Sequence, residues 1–253
     1  MRTTPGGLRI WHQEPDVLRV RLDRPERRNA QTPQMWEDLR GVGAEIDAGT
    51  RFVIVDGAAP DFSAGLDRSL FDPSSSGITL ASLAQGSPAD LDAFVQDAQA
   101  AFRLWRTLPV HVIALVSGNA IGAGFQLALA ADLMIVHPDA SLVLREAALG
   151  IVPDLGATAS LIPTLGYSRS VALLAGIPIT GRQAYEWGVA SQVATDPETS
   201  AQELVAYLRG MNPDALRETK AVARAVVAGS DPWDTEREAQ LRRLTEIARG
   251  LRG

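Results

Sequence analysis

The chain has 253 residues, 46% hydrophobic and 21% charged, enough for one large or two small domains whose core needs no disulfide or metal. It contains no cysteine, which excludes thiol nucleophiles and zinc thiolates. The formal net charge is −6 and Lys220 is the only lysine, so the basic surplus a nucleic-acid binder needs is missing.

Residues 1–7 lack the apolar stretch of a signal peptide, and no apolar run approaches the ~18 residues of a membrane helix. The expectation is a cytoplasmic protein with no membrane contact. Residues 17–22 (VLRVRL) alternate as a half-buried strand does, and Met35, Trp36, Leu39, Val42 and Ile46 recur at helical spacing over 33–46. A buried strand is predicted at 51–55 (RFVIV). Residues 67–90 are rich in Ser, Gly and Pro with isolated apolar residues, and read either as a surface loop or as a wall over a ligand pocket. A helix over 89–108 follows, then a strand at 110–116, a helix at 123–131 and extended segments at 133–136 and 141–144. This strand and helix alternation predicts an α/β core.

From Gly156 onward helical patterns dominate, with one extended segment at 189–193. Thr180-Gly-Arg-Gln183 has the spacing of a capping box, so a helix should start there and stop near Gly188. Residues 234–251, rich in Arg, Glu and Leu, read as a charged surface helix or an oligomer-contacting one. The chain divides into a core at 1–195 and a helical region at 196–253. His12, His111 and His137 stand apart with no HExxH spacing, as core or rim residues rather than metal ligands.

Chemistry is expected in the segment VSGNAIGAGFQ at 116–126, where a buried strand runs through three glycines into a helix. Glycine permits a tight turn and close approach of a ligand, and a helix N-terminus offers unpaired N–H groups. Such a turn serves close packing about as often as ligand binding. A dinucleotide reductase of the short-chain type would need Tyr-x-x-x-Lys, but Leu216 stands four residues before Lys220; no G-x-S-x-G elbow occurs either. A second turn, FSAGLD at 62–67, also follows a buried strand. Together the two turns can aim two N–H groups at one carbonyl oxygen, the arrangement that stabilises an enolate.

These residues resemble the crotonase superfamily, the enoyl-CoA hydratase/isomerase family. The resemblance rests on RPERRNA at 24–30, FSAGLD at 62–67, GNAIGAG at 118–124 with Leu127 to Asp132, EAALGIVPD at 146–154 and TGRQAYEWG at 180–188. It implies a spiral of strand-strand-helix units with a helical C-terminal region that builds homotrimers or hexamers. It also implies an acyl-CoA thioester substrate, so that coenzyme A enters as part of the substrate and no separate cofactor or metal is called for. The oxyanion donors it implies are the N–H groups of Leu66 and Ala123. Arg28, Ala30, Ala64 and Leu66 would contact the CoA, with Arg27 or Arg28 at its phosphates, and Gly65, Asp67, Gly122 and Gln126 would line the site.

Two departures bear on activity. Ala123 stands where glycine is common, which adds a methyl group and keeps the N–H. Gln126 stands where typical hydratases carry the first of two glutamates, and an amide neither gains nor loses a proton near neutral pH. Glu146 matches the second glutamate, and Asp154 matches a position where some members hold a catalytic aspartate. The resemblance therefore implies an isomerase that shifts a double bond, with Glu146 and Asp154 moving the proton. The alternatives are a hydratase using Glu146 alone, an acyl-CoA-binding homologue without turnover, and C–C cleavage or dehalogenation at Asp154. For Asp154, a helix-capping role is the competing reading.

Overall fold

The computed structural model describes residues 1–75 and 77–251. The N-terminal strands β1 (Arg2–Thr3), β2 (Leu8–Glu14) and β3 (Val17–Leu22) pair antiparallel in succession. Helix α1 (Pro33–Gly41) is capped by Thr32, whose hydroxyl accepts from the Met35 N–H. The single helix expected over 33–46 ends early, because the chain tightens into a 3-10 turn at Val42–Glu45 beside Gly41 and Gly43. After β4 (Phe52–Gly57) come α2 (Leu80–Ala84), α3 (Pro88–Thr107), β5 (His111–Val116), β6 (Asn119–Ile121), α4 (Ala123–Ala130), β7 (Leu133–Val136) and β8 (Ser141–Val143). The chain continues through α5 (Ala157–Leu174), broken at Gly166, then β9 (Ile179–Thr180), α6 (Gly181–Glu186) and β10 (Gln192–Val193). The helices α7 (Pro197–Arg209), α8 (Pro213–Val227) and α9 (Pro232–Gly250) complete it.

One sheet runs in the order β1-β2-β3-β4-β5-β7-β10, parallel from β3 onward, and a second runs β6-β8-β9. Each parallel step makes an excursion: β5 leads to β6 and α4 before β7, and β7 leads to β8 and α5 before β10. Isolated bridges pair Gln31 with Leu66 and Ser63 with Ala120, which extends the second row back through the turns after β3 and β4. The expected mixed α/β core with a helical C-terminal region is the architecture observed, and the candidate turns lie side by side in this second row.

Apolar residues cover the main sheet on both faces. In β4, Val53 and Val55 join the large core with α1, α3 and α4, while Phe52 and Ile54 pack with Ala201 and Val205 of α7 on the other face; the alternation is the period of two that a strand imposes. Strand β3 is therefore more buried than its alternating pattern predicts. Arg19 is 2% exposed and is neutralised by Asp56 and Glu198, each at 2.7 Å. A buried charge persists only when paired in this way.

The extended segment expected at 189–193 shrinks to β10. The stretch 67–90 contains a 3-10 turn at Arg68–Phe71, α2 and the start of α3. Thr79 with Ser82, and Ser87 with Asp90, form capping boxes that start the two helices. The Thr180 box occurs as expected, with Gln183 N–H donating to Thr180 Oγ1 at 3.2 Å. Lys220 fastens α8 to the core: its ammonium meets Asp132 and the Val110 carbonyl, while Arg224 reaches Asp132 and the Leu108 carbonyl.

Candidate active site

The first turn is built by a polar frame around Asn29 and Asp61. Arg28 and Asn29 both adopt left-handed backbone, φ 52° and 56°, which short polar side chains such as Asn accept most readily. The Asn29 amide donates to the Ala58 and Asp61 carbonyls. Asp61 accepts from Arg28, from the Asn119 backbone and from the Asn119 amide. Burial pushes the Asp61 carboxyl up, but these donors hold it below the usual carboxylate range. Ser63 Oγ donates to the Asn29 carbonyl at 2.7 Å and accepts from the Gly65 N–H at 3.2 Å.

This frame orients the Gly65–Leu66 peptide. The Gly65 carbonyl accepts from the Gln31 N–H at 2.7 Å. In a planar trans peptide the following N–H points the opposite way, so the Leu66 N–H faces away from Gln31, and it meets no acceptor among the described residues. The second turn works alike. The Gly122 N–H donates to the Val143 carbonyl at 2.8 Å, and the Gly122 carbonyl accepts the first helical bond of α4, from Gln126 at 2.9 Å. The Ala123 N–H therefore points out of the helix N-terminus, where it has no intrahelical partner. Gly65, at φ 84°, brings the turns together: a methyl group there would lie 2.4 Å from the Ile121 carbonyl oxygen and 3.5 Å from the Ala123 nitrogen.

Glu146 sits directly against the second turn. A methyl group on Gly122 would be 3.2 Å from Glu146 Oε1 and 3.7 Å from Oε2. The Gln126 amide donates to Oε1 at 2.7 Å, while Oε2 is buried with no hydrogen-bond partner among the described residues. Burial raises the Glu146 pKa above the ordinary glutamate value, and the charge of Asp154 adds to the rise. Burial raises Asp154 as well. The side chain of Asp154 does not cap a helix: α5 begins behind Gly156 without a side-chain cap. Its backbone carbonyl is held by the Gln99 amide of α3 at 3.0 Å.

The expected residues thus separate into two groups. Leu66, Gly65, Gly122, Ala123, Gln126, Glu146 and Asp154 come together around the paired turns. Ala30, Ala64 and Asp67 belong to the frame beside them: the Ala30 carbonyl accepts from Arg24, the Ala64 N–H donates to the Arg28 carbonyl, and Asp67 pairs with Arg24 and accepts from the Ser69 N–H. Arg28 extends from this frame with 59% of its side chain exposed, and Arg27 is also exposed. Ser63, Asn29 and Asn119 fall within the quoted motifs but were assigned no role there, and Asp61 and Gln99, which also hold the site in place, lie outside them. Among the described residues no group of His, Cys, Asp or Glu is placed to hold a metal, and no helix is long and apolar enough to cross a membrane.

An unpaired buried carboxylate oxygen beside two outward-pointing N–H groups suits removal of a proton next to a carbonyl whose oxygen those groups hold. The family description "enoyl-CoA hydratase/isomerase" matches residues 12–248. A probable enoyl-CoA hydratase of Mycobacterium tuberculosis (strain CDC 1551 / Oshkosh) is 33% identical over 90% of this chain and 85% of its own length. The 1,2-epoxyphenylacetyl-CoA isomerase of Escherichia coli (strain K12) is 33% identical over 79% of this chain and 75% of its own. The crystal structure of a Thermobifida fusca YX protein assigned as an enoyl-CoA hydratase, in complex with acetoacetyl-CoA, superposes with a TM-score of 0.88 at 35% identity, covering 95% of this chain and 96% of that one. The chain belongs to the enoyl-CoA hydratase/isomerase family.

Proposed function

We propose that this protein shifts the double bond of an enoyl- or dienoyl-CoA thioester through an enolate. The thioester oxygen accepts from the Leu66 and Ala123 N–H groups. Glu146 Oε2 removes a proton from C2 of a 3-enoyl thioester, the C2–H electron pair forms the C1–C2 bond of the enolate, and the negative charge passes to the thioester oxygen. As the enolate collapses, the 3,4 double bond moves to 2,3, and the proton taken by Glu146 passes to Asp154, which returns it at C4, so that both carboxylates end as they began. One proton leaves and one returns, so the product is an isomer of the substrate.

One observation carries this reading: Glu146 Oε2, buried without a hydrogen-bond partner among the described residues, lies against Gly122 of the second turn, while Gln126 in the other expected acid/base position is an amide with both ends engaged. Burial favours the neutral form of both carboxyls, which suits them to exchange protons with carbon. The acetoacetyl-CoA in the Thermobifida fusca structure supports a CoA thioester as the ligand. Arg28 and the backbone of Ala30, Ala64 and Leu66 would then line the CoA, and no separate cofactor takes part. Exposed Leu241, Leu244 and Ile247 on α9, with Ile162 and Val171 on α5, support a homotrimer or hexamer that covers them.

Incubation with 3-enoyl-CoA and NMR of the product tests the proposal. Accumulation of the 2-enoyl isomer supports it. Inertness toward 3-enoyl and dienoyl thioesters, with hydration of 2-enoyl-CoA, identifies a hydratase that works through Glu146 alone; inertness toward all of them, with tight binding, identifies a binding homologue.

A further inference from the structure

Gln126 is more than a lost glutamate. It is 1% exposed and its amide is used at both ends. Nε2 donates to Glu146 Oε1 at 2.7 Å, and Oε1 accepts from the N–H of Leu155 at 2.9 Å and of Ala157 at 3.4 Å. Leu155 follows Asp154 directly. One side chain therefore ties the Glu146 carboxylate to the turn that carries Asp154. We propose that Gln126 is a positioning residue for both proposed proton-transfer groups, holding Glu146 Oε1 so that Oε2 alone is free to react and fixing the turn that presents Asp154.

Only an amide can do this here. The site needs a donor toward Glu146 and an acceptor toward two backbone N–H groups, and glutamine supplies both. A glutamate at 126 keeps the acceptor but places a second carboxylate against Glu146 at hydrogen-bond distance, where the two must share a proton. Restoring the glutamate common in hydratases should therefore lower activity. A methionine of similar volume removes both arms and leaves the Leu155 and Ala157 N–H groups unpaired.

The inference rests on the proposed function for the roles of Glu146 and Asp154, but its first test does not. In protein with 13C-labelled glutamate carboxyls, the Glu146 signal is identified by its loss in Glu146→Gln and titrated in wild type, Gln126→Glu and Gln126→Met. Loss of a hydrogen bond to the charged form should move the Glu146 titration upward by about one unit or more in Gln126→Met. In Gln126→Glu the shared proton should move it further.

The second readout is exchange of the C2 hydrogens of acyl-CoA with D2O, which needs proton abstraction but no double-bond shift. Exchange at neutral pH should fall at least about tenfold in both variants. Its acid limb should move to higher pH with little change in KM, a pattern that simple unfolding would not produce. A Glu146 titration unchanged in Gln126→Glu, whose backbone contacts are retained, overturns the inference; so does wild-type exchange in that variant or a gain of ordinary hydratase activity. If the wild type exchanges C2 hydrogens and forms no isomer, the proposed function fails while the role of Gln126 in holding Glu146 stands or falls on the titration.

Discussion

Replacement of Gly65 by alanine should damage the fold and the site together. The added methyl carbon would lie 2.4 Å from the Ile121 carbonyl oxygen and 3.1 Å from its carbon, well inside van der Waals contact. Neither atom is on a flexible side chain. The backbone of β6 would have to move, although it is tied to the first turn by the Ile121 N–H bond to the Ser63 carbonyl at 2.9 Å. Left-handed backbone at φ 84° costs a non-glycine residue about 1–2 kcal/mol, and overpacking adds about 1–3 kcal/mol. The expected loss is thus about 2–5 kcal/mol, a large part of the stability of a typical domain. Urea denaturation measures it. Because the same movement turns the Leu66 N–H off its target, C2-hydrogen exchange in the folded fraction should fall by about 10²–10³-fold, the effect of losing one oxyanion donor. A Gly65→Ala protein destabilised by under about 1 kcal/mol, with exchange near the wild-type rate, would refute the close approach of the two turns.

Ala123→Pro removes the second donor at the first position of α4, where a helix tolerates proline; exchange in the folded fraction should fall about 10²–10³-fold, and retained exchange would remove Ala123 from the oxyanion site. Glu146→Gln keeps an acceptor for the Gln126 amide and should lower exchange about 10²–10⁴-fold. The same variant tests linkage: a raised carboxyl pKa makes the native state bind its proton more tightly, so wild-type stability should fall as pH rises above 4.5, the ordinary value, relative to Glu146→Gln. Denaturation midpoints of the two proteins that run parallel from pH 4 to 7 would contradict it. Lys220 behaves oppositely. Burial lowers its pKa from 10.5 to about 8, so the unfolded chain holds the proton more tightly and stability should rise between those values, by up to about 3 kcal/mol relative to Lys220→Met. An unchanged difference between pH 7 and pH 10 would refute this.

The sequence made much of the site legible because its chemistry is carried by short local patterns. A buried strand followed by glycines and a helix marks both turns, and Glu146 and Asp154 fall within one motif. Gln126 was visible as a departure, but its partners were not: Glu146 and Leu155 lie 20 and 29 residues away, and no local pattern encodes such a contact. Arg19 shows the same limit in the fold. Its alternation read as a half-exposed strand until Asp56 and Glu198, the latter 179 residues away, supplied the charge that lets it be buried.

The capping spacing Thr79 to Ser82 marks α2 within a stretch whose Ser, Gly and Pro content suggests a loop or pocket wall, while Ser87 to Asp90 caps the helix expected from residue 89. Strand β2 is weakly marked in the sequence, because LRIWHQE alternates only in part. Strand β6, with three residues, is defined by its pairing with β8 rather than by any propensity of its own. The capping alternative for Asp154 is not observed, because Gly156 occupies the N-cap position of α5.

The two-carboxylate shift is tested most directly by incubating wild type, Glu146→Gln and Asp154→Asn with 2-enoyl-, 3-enoyl- and dienoyl-CoA in D2O and following products by mass spectrometry and NMR. The account predicts an isomerised thioester from the wild type with no gain of water, and a loss of at least about 10²-fold in each variant. A product heavier by one water, formed at a rate that depends on Glu146 and not on Asp154, would contradict it.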